Sequence, residues 1–359
     1  MSVIVLSAGG TGGHLFPAQA VASVLARRGR GIVVMTDARF ANYATAFPGA
    51  RIETVPSSPL NAITAPFKIM AGIAIAFAKL LKLRPAAVVG FGGYPSVPVM
   101  LAANLAQLPT AIIEQNAVVG RANRLVMNRV KVMAAAFPIA RFAPHDKSKI
   151  VLTGNPLRPE VEALWGAPYD VPQAGGVLRL LVFGGSQGAR AMSEIVPAAL
   201  TRLPHDLKTR LSVVQQCRPE DIETVRQIYA NADIHADLQT FFNDLPRRMA
   251  DSHLVIARSG AGTVAELMAI GRPAILVPLP GALDDNQTPN ADILARAEAG
   301  WRVAQADLTP DTLAQMLMKI FAEPRDLARR AACAHAIAVP HAAERLADVV
   351  EKLVSRRAA

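Results

Sequence analysis

Short apolar runs of four to six residues alternate along the chain with longer segments whose apolar residues recur at helical spacing. In the first half the runs predict strands at Val3–Ser7, Ile32–Thr36, Arg51–Val55, Ala86–Val89, Thr110–Ile113, Val130–Ala134 and Lys149–Leu152. Helices are predicted between them, for example over Pro17–Arg28, Pro66–Arg84 and Ser96–Gln107. Strand–helix alternation of this kind predicts parallel βαβ units. A segment punctuated by Gly154, Pro156, Pro159, Pro168, Pro172 and Gly175-Gly176 reads as a linker. The rhythm then restarts. Strands are predicted at Leu178–Phe183, Leu211–Gln215, Leu254–Ala257, Ala274–Val277 and Trp301–Val303. Helices are predicted over Arg190–Arg202, Pro219–Ala230, Thr263–Ile270 and Asn290–Ala299.

Both halves open the same way. Val3–Ser7 runs into Gly9-Gly10-Thr11-Gly12-Gly13, and Leu180–Phe183 runs into Gly184-Gly185-Ser186-Gln187-Gly188. A strand, a glycine loop and a helix in tandem predict two nucleotide-type folds with a cleft between them. The length of 359 residues agrees, because single domains run about 100–200 residues. Apolar residues make up 52% of the chain, enough for buried parallel sheets.

Charge narrows the partners. The net charge is +10, which suits an anionic partner such as a phosphorylated ligand, an acidic lipid or nucleic acid. Aromatic residues are only 5%, without the basic–aromatic interleaving that stacks bases, so nucleic acid is not expected. The two cysteines, Cys217 and Cys333, have no metal-type spacing and fit a reducing compartment. No basic leader precedes the first strand, so no signal peptide is expected. The longest apolar stretch, Ile69–Ala78, is far shorter than the roughly 20 residues a spanning helix needs.

Glycine loops at helix N-termini bring backbone N–H groups to a phosphate. Each loop alone serves equally well as a tight turn. A third loop, Ser259-Gly260-Ala261-Gly262-Thr263, precedes Glu266. That carboxylate suits a ribose diol, or it answers the dipole of a helix N-terminus. A dinucleotide oxidoreductase is the rival. Its Gly-x-Gly-x-x-Gly fingerprint would need glycine where Leu15 stands, although Asp37 could serve as its ribose acid. Asp284-Asp285 lack a third ligand and read as solvated, so no metal is expected.

The motifs together resemble the MurG family of bacterial N-acetylglucosaminyltransferases. They are the Gly9–His14 loop, Gly92-Gly93-Tyr94, Glu114-Gln115-Asn116, Gly154-Asn155-Pro156-Leu157-Arg158, Gly184–Arg190, Arg258-Ser259-Gly260-Ala261, Glu266 and Asp284–Asn290. They run in family order over nearly the whole chain. The resemblance implies the GT-B architecture, an α/β fold of two Rossmann-like parallel-sheet domains facing across a cleft. The expected bounds are 1–155 for the acceptor and membrane side and 156–340 for the UDP-sugar donor side. A C-terminal helix, 341–359, would pack back on the first domain.

The implied reaction, part of peptidoglycan synthesis, is inverting transfer of N-acetylglucosamine from UDP-N-acetylglucosamine. The acceptor would be the C4 hydroxyl of the muramoyl sugar of undecaprenyl-diphosphate-linked muramoyl-pentapeptide (lipid I), and the product lipid II. No cofactor and no tightly held metal are implied. The resemblance places Thr11, Gly12 and Gly13 near the diphosphate and sugar, and Asn116 and Gln287 on sugar groups. It assigns Arg158 and Ser186 to the donor, Phe242 to uracil through its main chain, and Ala261, Gly262, Thr263, Val264, Ala265 and Glu266 to the nucleotide helix. Ile113 departs from the usual histidine before Glu-Gln-Asn, and Val97 from a usual glycine, both on the acceptor side. Another GT-B-like sugar-nucleotide enzyme, a glycolipid transferase or an epimerase, is the alternative. The sequence sets no oligomeric state.

His14, beside the first loop, is the candidate base, because imidazole can accept a hydroxyl proton near neutral pH. It could equally hydrogen-bond substrate without moving a proton. On the helix Pro66–Arg84, Met70, Ile73, Phe77 and Leu80 are expected to face the core. Lys68, Gly72, Ile75, Lys79 and Lys82 lie opposite and suit an anionic membrane surface on the cytoplasmic side of the cell membrane. An ordinary solvated lysine face has the same pattern.

Overall fold

Apolar runs without alternation become strands buried on both faces, which is what parallel sheets require. The computed structural model describes residues 2–9, 12–38, 47–58, 65–185 and 188–358. The chain divides into two units, one of Met1–Pro159 with Val339–Ala359, the other of Glu160–Ala338.

The first unit holds β1 (Val3–Ser7), α1 (Gly12–Arg27), β2 (Gly31–Thr36), β3 (Arg51–Thr54), α2 (Ala65–Leu83) and β4 (Ala87–Gly90). It continues through α3 (Ser96–Leu105), β5 (Thr110–Glu114), α4 (Arg121–Val126), β6 (Val132–Ala135) and β7 (Ile150–Leu152). The strands are all parallel, in the order β3-β2-β1-β4-β5-β6-β7. Strand order therefore reverses between β1 and β4, where a doubly wound sheet opens its binding crevice beyond the strand C-termini.

The second unit begins with α5 (Pro159–Glu162), whose first residue lies on the boundary. There follow β8 (Leu178–Phe183), α6 (Arg190–Thr201), α7 (His205–Lys208), β9 (Leu211–Gln216), α8 (Ile222–Asn231), β10 (His235–Gln239) and α9 (Leu245–Asp251). Then come β11 (Leu254–Ala257), α10 (Ala261–Ile270), β12 (Ala274–Leu276), α11 (Gln287–Arg296), β13 (Gly300–Arg302), α12 (Pro310–Ala322) and α13 (Pro324–Ala336). The sheet order is β10-β9-β8-β11-β12-β13, again all parallel. Its reversal lies between β8 and β11. Fully buried Arg272 ties this unit together by donating to the carbonyls of Ala250, Ala167, Ile270, Gly271 and Pro168.

The last helix, α14 (Ala342–Ala358), belongs to the first unit. Ala343, Leu346, Ala347, Val350 and Leu353 enter the core beneath α1 and β1. Arg28 clasps the helix from outside, 2.7 Å from Asp348 and 2.8 Å from Glu351.

On α2, Ile73, Phe77 and Leu80 face the core as expected, and Met70 is corrected. Met70 points outward, 69% exposed, and Gly72 is buried instead. A Cβ at Gly72 would come within 2.2 Å of the Pro56 carbonyl, so the helix packs through its smallest residue. Ala76 and Leu80 complete the buried edge. Lys79 is corrected as well. It does not join an outer basic face but turns to β3, bonding Glu53 and, at 3.0 Å, the Thr54 carbonyl. That hydrogen bond holds the Glu53 carboxyl below its usual range. Lys68, Ile75 and Lys82 remain outward, beside Phe67, Met70 and Leu81.

Candidate functional site

Each unit puts polar groups at its crevice, with different chemistry. In the first, α1 begins at Gly12 rather than near Pro17, which places His14 in its first turn. The imidazole lies over the turn after β4. A Cβ on Gly92 would sit 3.2 Å from His14 Nε2, and one on Gly93 would sit 2.6 Å from the Gly9 carbonyl and 3.5 Å from His14 Nδ1. Both glycines have positive φ, +85° and +76°, so the turn leaves room for the ring. His14 hydrogen-bonds the Gly9 backbone. Burial pushes the imidazole down to about 4, against the smaller opposing effect of the Gly9 bond. A helix N-terminus disfavours imidazolium in the same sense. His14 is therefore a neutral ring at pH 7.

Next to it, Glu114 closes β5 as a buried carboxyl. It accepts from Gly120 N at 2.9 Å, Asn116 N at 3.0 Å, Asn116 Nδ2 at 3.3 Å and Asn123 Nδ2 at 2.8 Å. Burial raises its pKa, and these donors oppose the rise. Glu114 thus orients Asn116, and Gln115 Nε2 donates to the Phe91 carbonyl at 2.9 Å. Asn123 Nδ2 also donates to Ile113 O at 3.0 Å, while its buried Oδ1 has no hydrogen-bond partner among the described residues. Arg158, in the first unit, holds its guanidinium 5.0 Å over the Phe16 ring. Gly12 and Gly13 open α1. Thr11 lies outside the described residues.

In the second unit a cavity of about 550 Å³ lies at the strand-order reversal. Its wall includes Gly184, Gly188, Arg190, Arg218, Arg258 and Thr263, with Gln287 and Gln305 nearby. The loop after β8 is pinned by Gly184 N donating to Gln216 Oε1 at 3.2 Å. Arg258 is buried. It donates through Nη1 to Val277 O and Pro278 O, both at 3.1 Å, and through Nη2 to Gln305. Its buried Nε has no partner among the described residues, and burial lowers its pKa. Gln287 accepts from Leu279 N at 3.0 Å through Oε1, which turns its amide nitrogen away from that bond.

The remaining expected residues fall unevenly. Ser186 lies outside the described residues. Because α10 starts at Ala261, Glu266 is in the second turn, half-buried, not in the first turn where the dipole alone would explain it. The side chains of Ala261, Val264 and Ala265 are buried in the core, so only their backbone can meet a ligand; Gly262 stays half-exposed. Phe242 follows β10 and does not line the cavity. Its ring is buried, with the Arg248 guanidinium 4.5 Å above it. Asp284 and Asp285 shape the turn into α11, at φ +57° and +48°. Among the described residues no His, Cys, Asp or Glu group is arranged to hold a metal.

Asp37 bears on the oxidoreductase rival. It is buried and accepts from Ser57 Oγ at 3.3 Å, fastening the segment after β3. Leu15 is also buried, filling with a side chain the place the dinucleotide fingerprint reserves for glycine. Sequence reasoning gave no role to Asn123, Arg218 or Gln305. Glu114 carried a signal, an acid closing an otherwise apolar strand; the other three are far from their partners in sequence.

Family models agree with this geometry. The glycosyltransferase family 28 N-terminal domain matches residues 4–135, and the family 28 C-terminal domain matches residues 179–350. The chain belongs to glycosyltransferase family 28. Family 28 relatives include the UDP-N-acetylglucosamine–N-acetylmuramyl-(pentapeptide) pyrophosphoryl-undecaprenol N-acetylglucosamine transferase of Rhodopseudomonas palustris, 50% identical and covered over 98% of both chains. The transferase of the same name from Paramagnetospirillum magneticum is 48% identical, over 98% of this chain and 97% of that one. Among solved structures, MurG of Acinetobacter baumannii matches with a TM-score of 0.82 at 33% identity, over 98% of this chain and 100% of its own. The two parallel-sheet domains are thus the GT-B fold. UDP-GlcNAc 2-epimerase from Neisseria meningitidis, at 13% identity and a TM-score of 0.69 over 98% and 100% of the chains, shares that fold alone.

Proposed function

We propose that this family 28 enzyme transfers N-acetylglucosamine from UDP-N-acetylglucosamine to the C4 hydroxyl of lipid I, giving lipid II. The observation that carries this is the arginine- and glycine-walled cavity at the reversal point of the second sheet, in a chain half identical to transferases of that name.

The second domain takes the donor. Backbone N–H groups of the loop after β8 and of the α10 start meet the diphosphate. Glu266 takes the ribose diol, the main chain at Phe242 the uracil, and Gln287 the sugar hydroxyls. The first domain takes the acceptor. Gly12 and Gly13 are assigned near the diphosphate and sugar, and Asn116, aligned by Glu114, to a sugar contact. Arg158 is assigned to the donor's charge.

In the reaction the acceptor oxygen attacks the anomeric carbon on the face opposite UDP. The new C1–O4 bond forms as the bond from C1 to the β-phosphate oxygen breaks, with inversion. UDP leaves with the electron pair, and the hydroxyl proton passes to the neutral His14 imidazole. A neutral ring can receive that proton, and the charge on the leaving diphosphate is met by guanidinium and N–H groups.

The enzyme works peripherally at the cytoplasmic face of the bacterial inner membrane, where its lipid-linked acceptor lies. No helix among the described residues is long and apolar enough to cross a membrane. The outward face of α2, carrying Phe67, Met70, Ile75, Leu81, Lys68 and Lys82, supplies the contact. The test is transfer of labelled N-acetylglucosamine to purified lipid I. Label in lipid II is expected; UDP release without transfer, or epimerised donor, would reject the proposal.

A further inference from the structure

We propose that Arg218 is a leaving-group residue, gripping the nucleotide diphosphate in the second-domain cavity. This rests on assigning that cavity to the donor.

The three guanidiniums on the cavity wall are not equivalent. Arg190 donates from Nε to Glu194 at 2.7 Å, one turn along α6, and both side chains are largely exposed. Its charge is answered outside the cavity. Arg258 is buried and spent on the carbonyls of Val277 and Pro278 and on Gln305, which makes it a wall post whose Nε has no partner among the described residues. Arg218 differs from both. Among the described residues the carboxylate paired with its guanidinium is Glu220, with Nη1 3.6 Å from Oε1, beyond hydrogen-bond length. Glu220 is itself mostly exposed, so it competes weakly for the charge.

The backbone fixes where Arg218 starts. Cys217 N donates to Gln239 O at 2.9 Å. The Arg218 carbonyl accepts from Asp221 N at 3.0 Å and Ile222 N at 3.1 Å, at the entry to α8. From there the stem crosses the end of the glycine loop. A Cβ on Gly188 would lie 3.2 Å from Arg218 Cγ, and Gly188 is at φ +67°. The stem is thus seated against the glycine loop, and Arg218 lines the cavity. A guanidinium fork offers paired donors to phosphate oxygens, which a lysine cannot copy. Helix α6 begins beside the same loop with no acid in its first turn. As C1 departs, negative charge concentrates on the diphosphate, and a cation already seated there stabilises it.

The experiment measures UDP and uridine affinity by calorimetry, with donor kcat and KM, for the full-length wild type, R218A and R218K. R218A is expected to weaken UDP roughly ten- to hundred-fold, the range for a lost charge-assisted bond, and to leave uridine within about two-fold. R218K, which keeps the charge without the fork, is expected between the two, and kcat is expected to fall more than KM rises. Equal losses for uridine and UDP in both variants would overturn the assignment, because they would mean a disturbed fold. So would an unchanged UDP affinity in R218A. A wild type that binds neither nucleoside nor nucleotide would instead reject the donor assignment of the cavity itself.

Discussion

The two domains share the order of their first six strands, the first adding a seventh at its edge, and yet prepare opposite chemistry at the place where that order reverses. In the first domain the crevice is furnished with a neutral imidazole, a buried carboxyl and amides, packed against a glycine turn. In the second it is an open cavity of about 550 Å³ with arginines on its wall. Topology chooses the location and the side chains choose the reaction. A neutral base suits a hydroxyl that must lose a proton. Cations and free N–H groups suit a diphosphate that must leave.

The largest effect that could break this division is on His14. His14→Ala is expected to lower kcat/KM by roughly 10²–10⁴-fold, the usual weight of a positioned base, with UDP affinity unchanged. Calorimetry beside the transfer assay checks it. A parallel loss of UDP affinity would mean the two crevices do not divide the work. Next is Leu346→Ala, in the helix that returns to the first domain. Its side chain is fully buried, and removing it is expected to cost about 2–5 kcal/mol. Hydrogen exchange should locate the loss in the first domain, leaving peptides from β8 to α13 protected.

Much of this architecture was legible in the chain, for a physical reason. Strands buried on both faces read as plain apolar runs, so Val3–Ser7, Leu178–Phe183 and Leu254–Ala257 stood out to the residue. Strand β10 did not, because His-Ala-Asp-Leu-Gln is a polar edge strand. The start of α1 was hidden inside a glycine run, and the close approach of α2 at Gly72 was hidden because glycine carries no apolar signal, although Ile73, Phe77 and Leu80 were legible. At the sites, loops were visible and partners were not. Asn123 meets Glu114, and Arg218 meets the loop at Gly188, only because successive strand ends converge.

A smaller effect sharpens the comparison through pH. The His14 pKa of about 4 lies below the ordinary 6.5, so the ring stays neutral down through pH 6. The kcat/KM profile is then expected to be level across neutrality and to fall only toward pH 4. An acid limb centred between about 6 and 7 would contradict the buried ring. Stability follows the same sign. The unfolded chain binds the proton first as pH drops below 6.5, so stability is lost between there and about 4. His253, buried in the second domain and also pushed to about 4, adds to the same window. His14→Asn is expected to remove the first domain's share of this acid loss and leave the second's.

The smallest effects concern the outer face of α2 in the first domain. Phe67 is 81% exposed at one end of this face beside Lys68, and Lys82 lies outward at the other end beside Leu81. Lysines near an acidic bilayer are worth about 1 kcal/mol each, and salt screens them. Lys68→Ala and Lys82→Ala are each expected to weaken binding to anionic vesicles roughly five-fold at low salt. Lys79→Ala should leave vesicle binding unchanged, because that ammonium is already bonded to Glu53 and Thr54. Its cost should appear in first-domain stability instead. Vesicle sedimentation separates the three variants. If Lys79→Ala behaved like Lys82→Ala, or if neutral vesicles bound equally well, the proposed membrane contact through charge on this face would be wrong.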